Sequence, residues 1–598
     1  MCRIAGIVSK TKQADTLYQR VKMMCDRMQH GGPDDEGIYL NPGLGVCLGH
    51  RRLSLLDLSN AGHQPMSESD EQLWLSYNGE IYNFKELQKE LESFGHIFKT
   101  RTDTEVILKA YLQWGTEAFS RFNGMFAFSL MDLKVGKVYL VRDAAGIKPL
   151  YYSCSDRELI FASEVKAFKQ RNSSWRSNPD WRLLLLAFGH IPEPYTTLEN
   201  VFSLQKGHFL SYNLSDSSYT INSYRKLGFT LASILSKEEA IRTIREKLQS
   251  AVERHLIADA PIGLFLSGGI DSSLLTIMAA KDLKKQLHTL SITFTEDNYS
   301  EKVYQQTVVD QVKCQHQFYQ VSAKDLEDNF NDILSGYDQP SNDGVNSWFI
   351  SKCAKENGLK AVLSGIGSDE VFGGYPSFNR MSSLLKLRNF SKVTGLITPY
   401  IRDSRFQRLE WLKVNGTTGL YLALRGFYTA SEIGNITGQS SKEIITRITS
   451  LSFQPIAEDI KKNEMACWLE FNGYMQNQLL KDSDSMSMQH GLELRVPFLD
   501  QEFLEAVFSL NTSLLYQHGK LPKQLLIDSF NDILPEIIWN RKKMGFSFPF
   551  QHWLGNMKSV RESLTKEKAG ADVLKSFDKG KLHWSKLWAY YLMQNFEA

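Results

Sequence analysis

The sequence predicts two domains: a strand-rich α+β domain over residues 2–212, then a parallel α/β domain that turns helical toward its end. Three observations predict this. At 598 residues the chain exceeds what one hydrophobic core ordinarily organises. Its first third alternates short apolar segments with Gly, Asn and Asp, the texture of strands and turns. Beyond residue 237 helical patterns alternate with short apolar runs, as in parallel sheets crossed by helices.

In the first domain the apolar segments 2–8, 45–48, 73–77, 125–131, 137–141 and 159–162 read as strands. Helical patterns fall at 16–28, 84–94 and 103–113. The last opens with Thr102 or Asp103 as a cap, and Glu105 sets a carboxylate in its positive first turn. Residues 213–236 are polar, Ser-rich and without periodicity, and read as a linker. The second domain, 237–598, begins with a helix at 238–255, a strand at 262–266, a Gly-rich turn, a helix at 272–281 and a strand at 289–294. After about residue 386 it reads as mainly helical, with 468–489 the clearest long helix.

Composition narrows the function. Hydrophobic residues make up 42% and charged residues 23%, as in soluble globular proteins. A net charge of +2 gives no electrostatic footprint for nucleic acid or an anionic membrane. The longest apolar runs, such as 183–188, are far too short to span a bilayer. Seven scattered cysteines form no CxxC pair, which argues against a zinc site and for a reducing compartment. The N-terminus lacks the apolar stretch of a secretory signal, so a cytoplasmic enzyme is expected.

Cys2 follows Met1, and its small side chain suits removal of that methionine. The freed α-amine has an ordinary pKa of about 8 and can serve as general base to the thiol of the same residue. A second-position cysteine alone is weak evidence, but its companions fit free glutamine. Arg52, in GHRRLS, can hold a carboxylate bidentately. Asn78 and Gly79, in YNGEIYN, can donate to an oxyanion, and Asp103 can hold an ammonium. This set resembles the class II glutamine amidotransferases, which are N-terminal-nucleophile hydrolases of αββα sandwich fold. The resemblance implies Cys2 as nucleophile, Arg52 and Asp103 as glutamine ligands, and Asn78 and Gly79 as the oxyanion pair. Two positions depart from the family pattern: Arg3 stands where glycine is usual, and Gly31 where the family has arginine before Gly-Pro-Asp.

The run LFLSGGIDSS follows a predicted strand and opens a predicted helix. Ser267, Gly268 and Gly269 let backbone N–H groups crowd around an anion, Ser272 and Ser273 add hydroxyls, and Asp271 suits a Mg2+ ion. No Walker A pattern occurs. The second run, LSGIGSDEVFGGY, also follows an apolar stretch, which places Ser364, Gly365 and Asp369 at the same sheet edge. SGGIDSS resembles the pyrophosphate loop of the ATP pyrophosphatases, a doubly wound parallel α/β fold, and the resemblance implies that Leu266 and Ile292 flank an adenine. With DSMSM, LELRVPFLD and RKKMGF, the resemblance extends to the glutamine-hydrolysing asparagine synthetases and covers the chain from Cys2 to about Trp553. It implies ATP and Mg2+ as cofactors, Asp271 and Asp369 as metal ligands, Lys543 as the cation on pyrophosphate, and a homodimer.

The reaction so implied is amide formation on aspartate, using ammonia carried from the glutamine site to an acyl-adenylate. Ile366 lies where such enzymes usually carry an acid, and an acid there serves incoming ammonium. A different carboxylate acceptor, such as a uronic acid of a surface polysaccharide precursor, is therefore the alternative. Glu370 and Asp343 are the candidate replacements for the acid. A plain glutaminase or a non-catalytic regulatory relative fits less well, because Cys2, Arg52 and Asp271 are all present.

Overall fold

The computed structural model describes all residues except 1, 11–12, 69, 170–174, 284–286, 297–298, 389–403, 454–459, 518, 546–547 and 598, and leaves the side chains of 281–283 and 404–405 undescribed. Phe546, the last residue of the RKKMGF run, lies outside the described residues.

The N-terminal domain stacks two six-stranded sheets. One orders its strands as Phe202–Ser203, Tyr151–Cys154, Glu158–Ala162, Arg3–Ser9, Val46–Arg52 and Asp35–Asn41. The other runs Tyr219–Ser223, His208–Asn213, Lys137–Arg142, Gly124–Asp132, Leu73–Ile81 and Met66–Ser67. Alternation along the strands decides the layers. Ile4 and Val8 pack between the sheets with Leu48, Met131 and Phe161, whereas Ala5 and Ile7 face outward onto helix Ala14–Arg27. Helices Phe84–Ser93 and Asp103–Trp114 cover the other outer face. The result is the expected αββα sandwich. The cap is as read: Thr102 Oγ1 accepts from Glu105 N at 3.3 Å.

The polar stretch 213–236 contains a strand that its lack of apolar periodicity concealed. Tyr219–Ser223 pairs with His208–Asn213 as an edge strand whose five residues are all exposed, so no inward face marks it. The rest of the stretch is pinned by backbone hydrogen bonds of Thr230 to Phe508 and Ser233 to Ser509. Helix Trp181–Phe188, although within the first domain by sequence, packs into the core of the second. The amides of Phe427 and Tyr428 donate to its Ala187 and Leu186 carbonyls at 2.8 and 2.9 Å.

The second domain is built on a five-stranded parallel sheet ordered Gln315–Val321, His288–Phe294, Ile262–Phe265, Ala361–Leu363, Glu493–Arg495. Successive strands step one way from Ile262–Phe265, and the chain then returns to place Ala361–Leu363 on its other side. That reversal is a doubly wound switch point, where ligands of open α/β sheets bind. Both glycine-rich runs emerge from the two strands that flank it. The segment read as one helix over 468–489 is three pieces: helix Met465–Leu469, a π-helical stretch Glu470–Leu479, and helix Leu480–Met488.

Candidate active sites

At the end of strand Arg3–Ser9, Cys2 sits over the neighbouring sheet, where its backbone N donates to Asn78 Oδ1 at 3.1 Å. Asn78 is fully buried behind the cavity wall rather than on it, and its Nδ2 is a donor with no protein partner. Gly79, at φ +151°, is required: a Cβ would stand 2.1 Å from the Met125 carbonyl oxygen on the adjacent strand. Asp103 is buried, and its Oδ2 accepts from Tyr77 Oη at 2.7 Å and from Ile81 N at 2.9 Å. Burial pushes Asp103 up to about 6, with those hydrogen bonds opposing. Burial also raises the Cys2 thiol, while the N-terminal ammonium, the contact with Leu53 and the Arg52 guanidinium pull it down.

Arg52 donates to the carbonyls of Ser59 and Asp57 at 2.8 and 2.5 Å, which folds segment 53–62 over the site. Gly62 permits this, since a Cβ there would lie 2.0 Å from Arg52 Nη2. Cys2, Arg52, Gly79 and Asp103 line one cavity of about 30 Å³. That is room for a water or two, so glutamine entry requires the lining segment to shift.

The second site is a cavity of about 630 Å³ at the carboxyl ends of the parallel strands. Its wall holds Leu266, Ser267, Gly269, Asp271, Ser272, Ile292, Ser364, Gly365, Asp369 and Lys543. Ser272 Oγ lies 2.9 Å from Ser267 Oγ and accepts from Ser267 N at 3.1 Å, which shapes the loop. Two residues expected here are not on the wall. Gly268, at φ +83°, makes the turn, and its carbonyl accepts from Arg541 at 2.9 Å. Ser273 lies within helix Ile270–Leu283 and is fully buried, because the helix turns that position away from the cavity.

Lys523, which the sequence did not single out, organises this wall. Its Nζ stands 2.6 Å from Asp271 Oδ2 and 2.6 Å from Asp369 Oδ1, and Lys543 Nζ is also 2.6 Å from Asp369. Those cations hold Asp369 down at about 2 against the effect of burial. Among the described residues no three metal-ligating side chains cluster. Even so, Asp271 and Asp369 converge on one cationic point, and a Mg2+ bound chiefly through phosphates needs only one or two carboxylates. Their donor set fits the ion.

Ile366 lines the same cavity, as do the buried carboxylates Glu370 and Asp482 and the half-buried Asp343. Glu370 accepts from Tyr375 Oη at 2.7 Å and is pushed up to about 7 by burial and by Asp369. Burial also raises Asp343 and, with Asp343 beside it, Asp482.

Strand Glu493–Arg495 joins the two sites. Leu494 faces the large cavity, while the fully buried Glu493 and Arg495 point the other way. Arg495 Nε donates to Glu493 at 2.6 Å, and its Nη2 is 3.3 Å from Glu80, which lines the Cys2 cavity. Both residues stand in the LELRVPFLD run, where charges alternating with apolar residues were the available signal.

The family model for asparagine synthase matches residues 243–585, and that for a glutamine amidotransferase domain matches residues 1–225. Glutamine-hydrolyzing asparagine synthetase 1 of Bacillus subtilis is 31% identical over 600 residues, 96% of this chain and 92% of that one. A putative glutamine-hydrolyzing asparagine synthetase 2 of Methanocaldococcus jannaschii is 37% identical over 453 residues, 71% of this chain and 84% of that one. Asparagine synthetase 3 of Bacillus subtilis is 29% identical over 94% of this chain and 91% of its own length.

Proposed function

The chain belongs to the glutamine-hydrolysing asparagine synthetase family, and from that premise we propose how its two cavities divide the reaction. The carrying observation is the pairing of two sites through one strand: Cys2 against Asn78 at one end, and Asp271 and Asp369 around Lys523 at the other.

Once Met1 is removed, the Cys2 amine takes the thiol proton, and the thiolate attacks the side-chain amide carbon of glutamine. Asn78 Nδ2 and the Gly79 N–H receive the developing oxyanion. Arg52 and Asp103 hold the α-carboxylate and α-ammonium. The Cys2 ammonium returns its proton to the amide nitrogen, ammonia leaves as the C–N bond breaks and the thioester forms, and water then releases glutamate from Cys2. In the large cavity the loop at 267–272 cradles the phosphates, Leu266 and Ile292 flank the adenine, and the acceptor carboxylate attacks the α-phosphorus. Pyrophosphate leaves against Lys543 and Lys523, and ammonia displaces AMP from the acyl-adenylate. Asp271 and Asp369 would hold Mg2+, which would neutralise charge on the phosphates.

Aspartate is the acceptor favoured by the family. A second reading is supported by an adjoining cavity of about 550 Å³ that shares Asp343, Asn346, Tyr375 and Tyr474 with the ATP cavity. Its wall carries Arg380, Arg408, Arg425 and Lys586. Arg425 pairs with the buried Glu470 and stacks 3.8 Å over Tyr474. An acceptor larger than aspartate, with a second anionic group such as a sugar acid derivative carries, would extend there. The deciding experiment incubates the protein with glutamine and MgATP, with and without aspartate, and measures AMP, pyrophosphate, glutamate and asparagine. Aspartate-dependent pyrophosphate and asparagine in equal amounts support the first reading. Glutamate release without aspartate-dependent pyrophosphate removes aspartate and leaves the larger acceptor.

A further inference from the structure

We propose that Arg3, through its ion pair with Asp484, is the positioning residue by which occupancy of the ATP cavity is transmitted to Cys2; the inference rests on the two-site reading above. Arg3 follows the nucleophile directly, and its side chain is fully buried. Nε donates to Glu164 Oε1 at 2.6 Å, and Nη1 lies 3.0 Å from Asp484 Oδ2. Glu164 belongs to the glutaminase half, and Asp484 to helix Leu480–Met488 of the synthetase half. A Cβ on Gly31 would stand 2.8 Å from Arg3 Cγ and 2.9 Å from its Nε. The guanidinium therefore runs through the space that a side chain at 31 would fill. The two departures from the family pattern form one compensated pair that places a guanidinium on Asp484 at the domain interface, where Lys148 Nζ also lies 3.6 Å from the other Asp484 oxygen.

The helix that carries Asp484 also borders the other site, since Asp482, Ser483 and Ser487 line the ATP cavity. A shift of that face on filling the cavity must carry Asp484 with it, because the helix moves as a unit. The stretch before it, Glu470–Leu479, is π-helical, a geometry that accumulates at functional sites. A second tie closes the circuit. Ser485 Oγ donates to the Gly336 carbonyl at 2.6 Å and accepts from Asp338 N at 3.1 Å. The Asp338 carboxylate in turn accepts from Val165 N and Lys166 N at 2.9 Å each, immediately after Glu164. Glu164 also receives His30 at 3.0 Å and Lys166 at 3.0 Å, so it stays anchored while Asp484 moves. Neither Arg3 nor Asp484 lines the glutamine or the ATP cavity. The pair acts through the backbone of Cys2, not on a substrate.

The test follows alkylation of Cys2 in the full-length protein by a diazoketone analogue of glutamine, read by mass spectrometry with and without saturating MgATP and aspartate. In the natural protein, filling the ATP cavity is expected to change the labelling rate by roughly tenfold, within the usual span of coupling between sites. Asp484→Asn should label at close to the natural rate in the empty state and lose the response. Arg3→Gly should lose it too, and Arg3→Gly with Gly31→Arg should regain it, which a merely destabilised interface would not do. A natural protein that does not respond to MgATP, or an Asp484→Asn protein that responds fully, overturns the proposal. If Asp484→Asn fails to fold, the single and double changes at 3 and 31 decide the matter. Ammonia-supported pyrophosphate release, measured in parallel, separates the outcomes: no aspartate dependence with an intact labelling response to MgATP sinks the acceptor reading alone.

Discussion

Lys523 lies 2.6 Å from a carboxylate oxygen of Asp271, although the two residues are 252 positions apart in the chain. The same ammonium reaches Asp369, so the first and second glycine-rich runs are tied by one buried cation. Lys523→Met would leave two carboxylates facing each other with only Lys543 to offset them. Breaking a buried pair in this way costs about 3–5 kcal/mol. Losing a cation from the phosphate site should lower ATP-dependent pyrophosphate release by about 10²-fold or more. Glutaminase activity should stay near its natural level, because the change is confined to the other cavity. Added Mg2+ should restore part of the lost stability, read as a rise in melting temperature, since the freed carboxylates then share the metal. Equal loss of both activities would contradict the separation of sites.

Cys2 and Asn78 allow a sharper dissection. Cys2→Ala removes the nucleophile and is expected to reduce glutamine-supported synthesis by at least about 10³-fold. Ammonia-supported synthesis should change less than threefold. Asn78→Ala removes the unpartnered Nδ2 donor and should lower glutaminase kcat by about 10²-fold, with a much smaller effect on KM. A matching rise in KM would reassign Asn78 to ground-state glutamine binding.

Asp103 gives the glutamine site a defined pH limb. Its folded pKa is raised to about 6, above the ordinary carboxylate value. The group therefore favours folding below its unfolded pKa, and that contribution is lost as pH rises through about 6. On the proposed reading binding runs the opposite way, because the ionised form would hold the α-ammonium. As pH falls below about 6, kcat/KM for glutamine should fall by about tenfold per unit. Ammonia-supported synthesis lacks this step. Asp103→Asn should abolish the limb and raise KM at pH 8. An acid limb that persists in Asp103→Asn would place its origin in another group.

Much of this was legible in the sequence because the chemistry sits in contiguous runs. LSGGIDSS and LSGIGSDEVFGG read directly onto the switch point of a parallel sheet, and of the residues expected to hold glutamine Arg52, Gly79 and Asp103 share one cavity wall while Asn78 lies behind it. Ser273 was misread since a hydroxyl within such a run looks available, whereas helix phase turns it into the core. Lys523 was missed for the converse reason: no local pattern distinguishes a lysine that tertiary packing carries to two distant aspartates. Tyr219–Ser223 escaped notice because an edge strand with both faces exposed has no alternation to detect. Arg3 and Gly31 read in the sequence as a basic side chain gained at one position and lost at the other, which allows a spatial swap, and the structure places the Arg3 side chain against Gly31.

Glu370 is, with Asp343, a candidate for the acid that Ile366 does not supply on the same cavity wall. It is buried, lines the cavity, accepts from Tyr375 Oη at 2.7 Å and is pushed up to about 7. A carboxyl with that value is protonated on the acid side of neutrality and can take a proton from incoming ammonium on the alkaline side. At saturating glutamine, kcat for synthesis should therefore rise through about pH 7, and Glu370→Gln should flatten the profile and lower its plateau by about 10²-fold. The Tyr375 hydrogen bond favours the ionised form, so Tyr375→Phe should move the limb to higher pH without removing it. Ile366→Glu tests the same point from the other side: it should restore activity to Glu370→Gln if an acid anywhere on this wall suffices. If Glu370→Gln leaves both plateau and limb unchanged, the proton is taken elsewhere, and Asp343 and Asp482 on that wall are the next carboxyls to test.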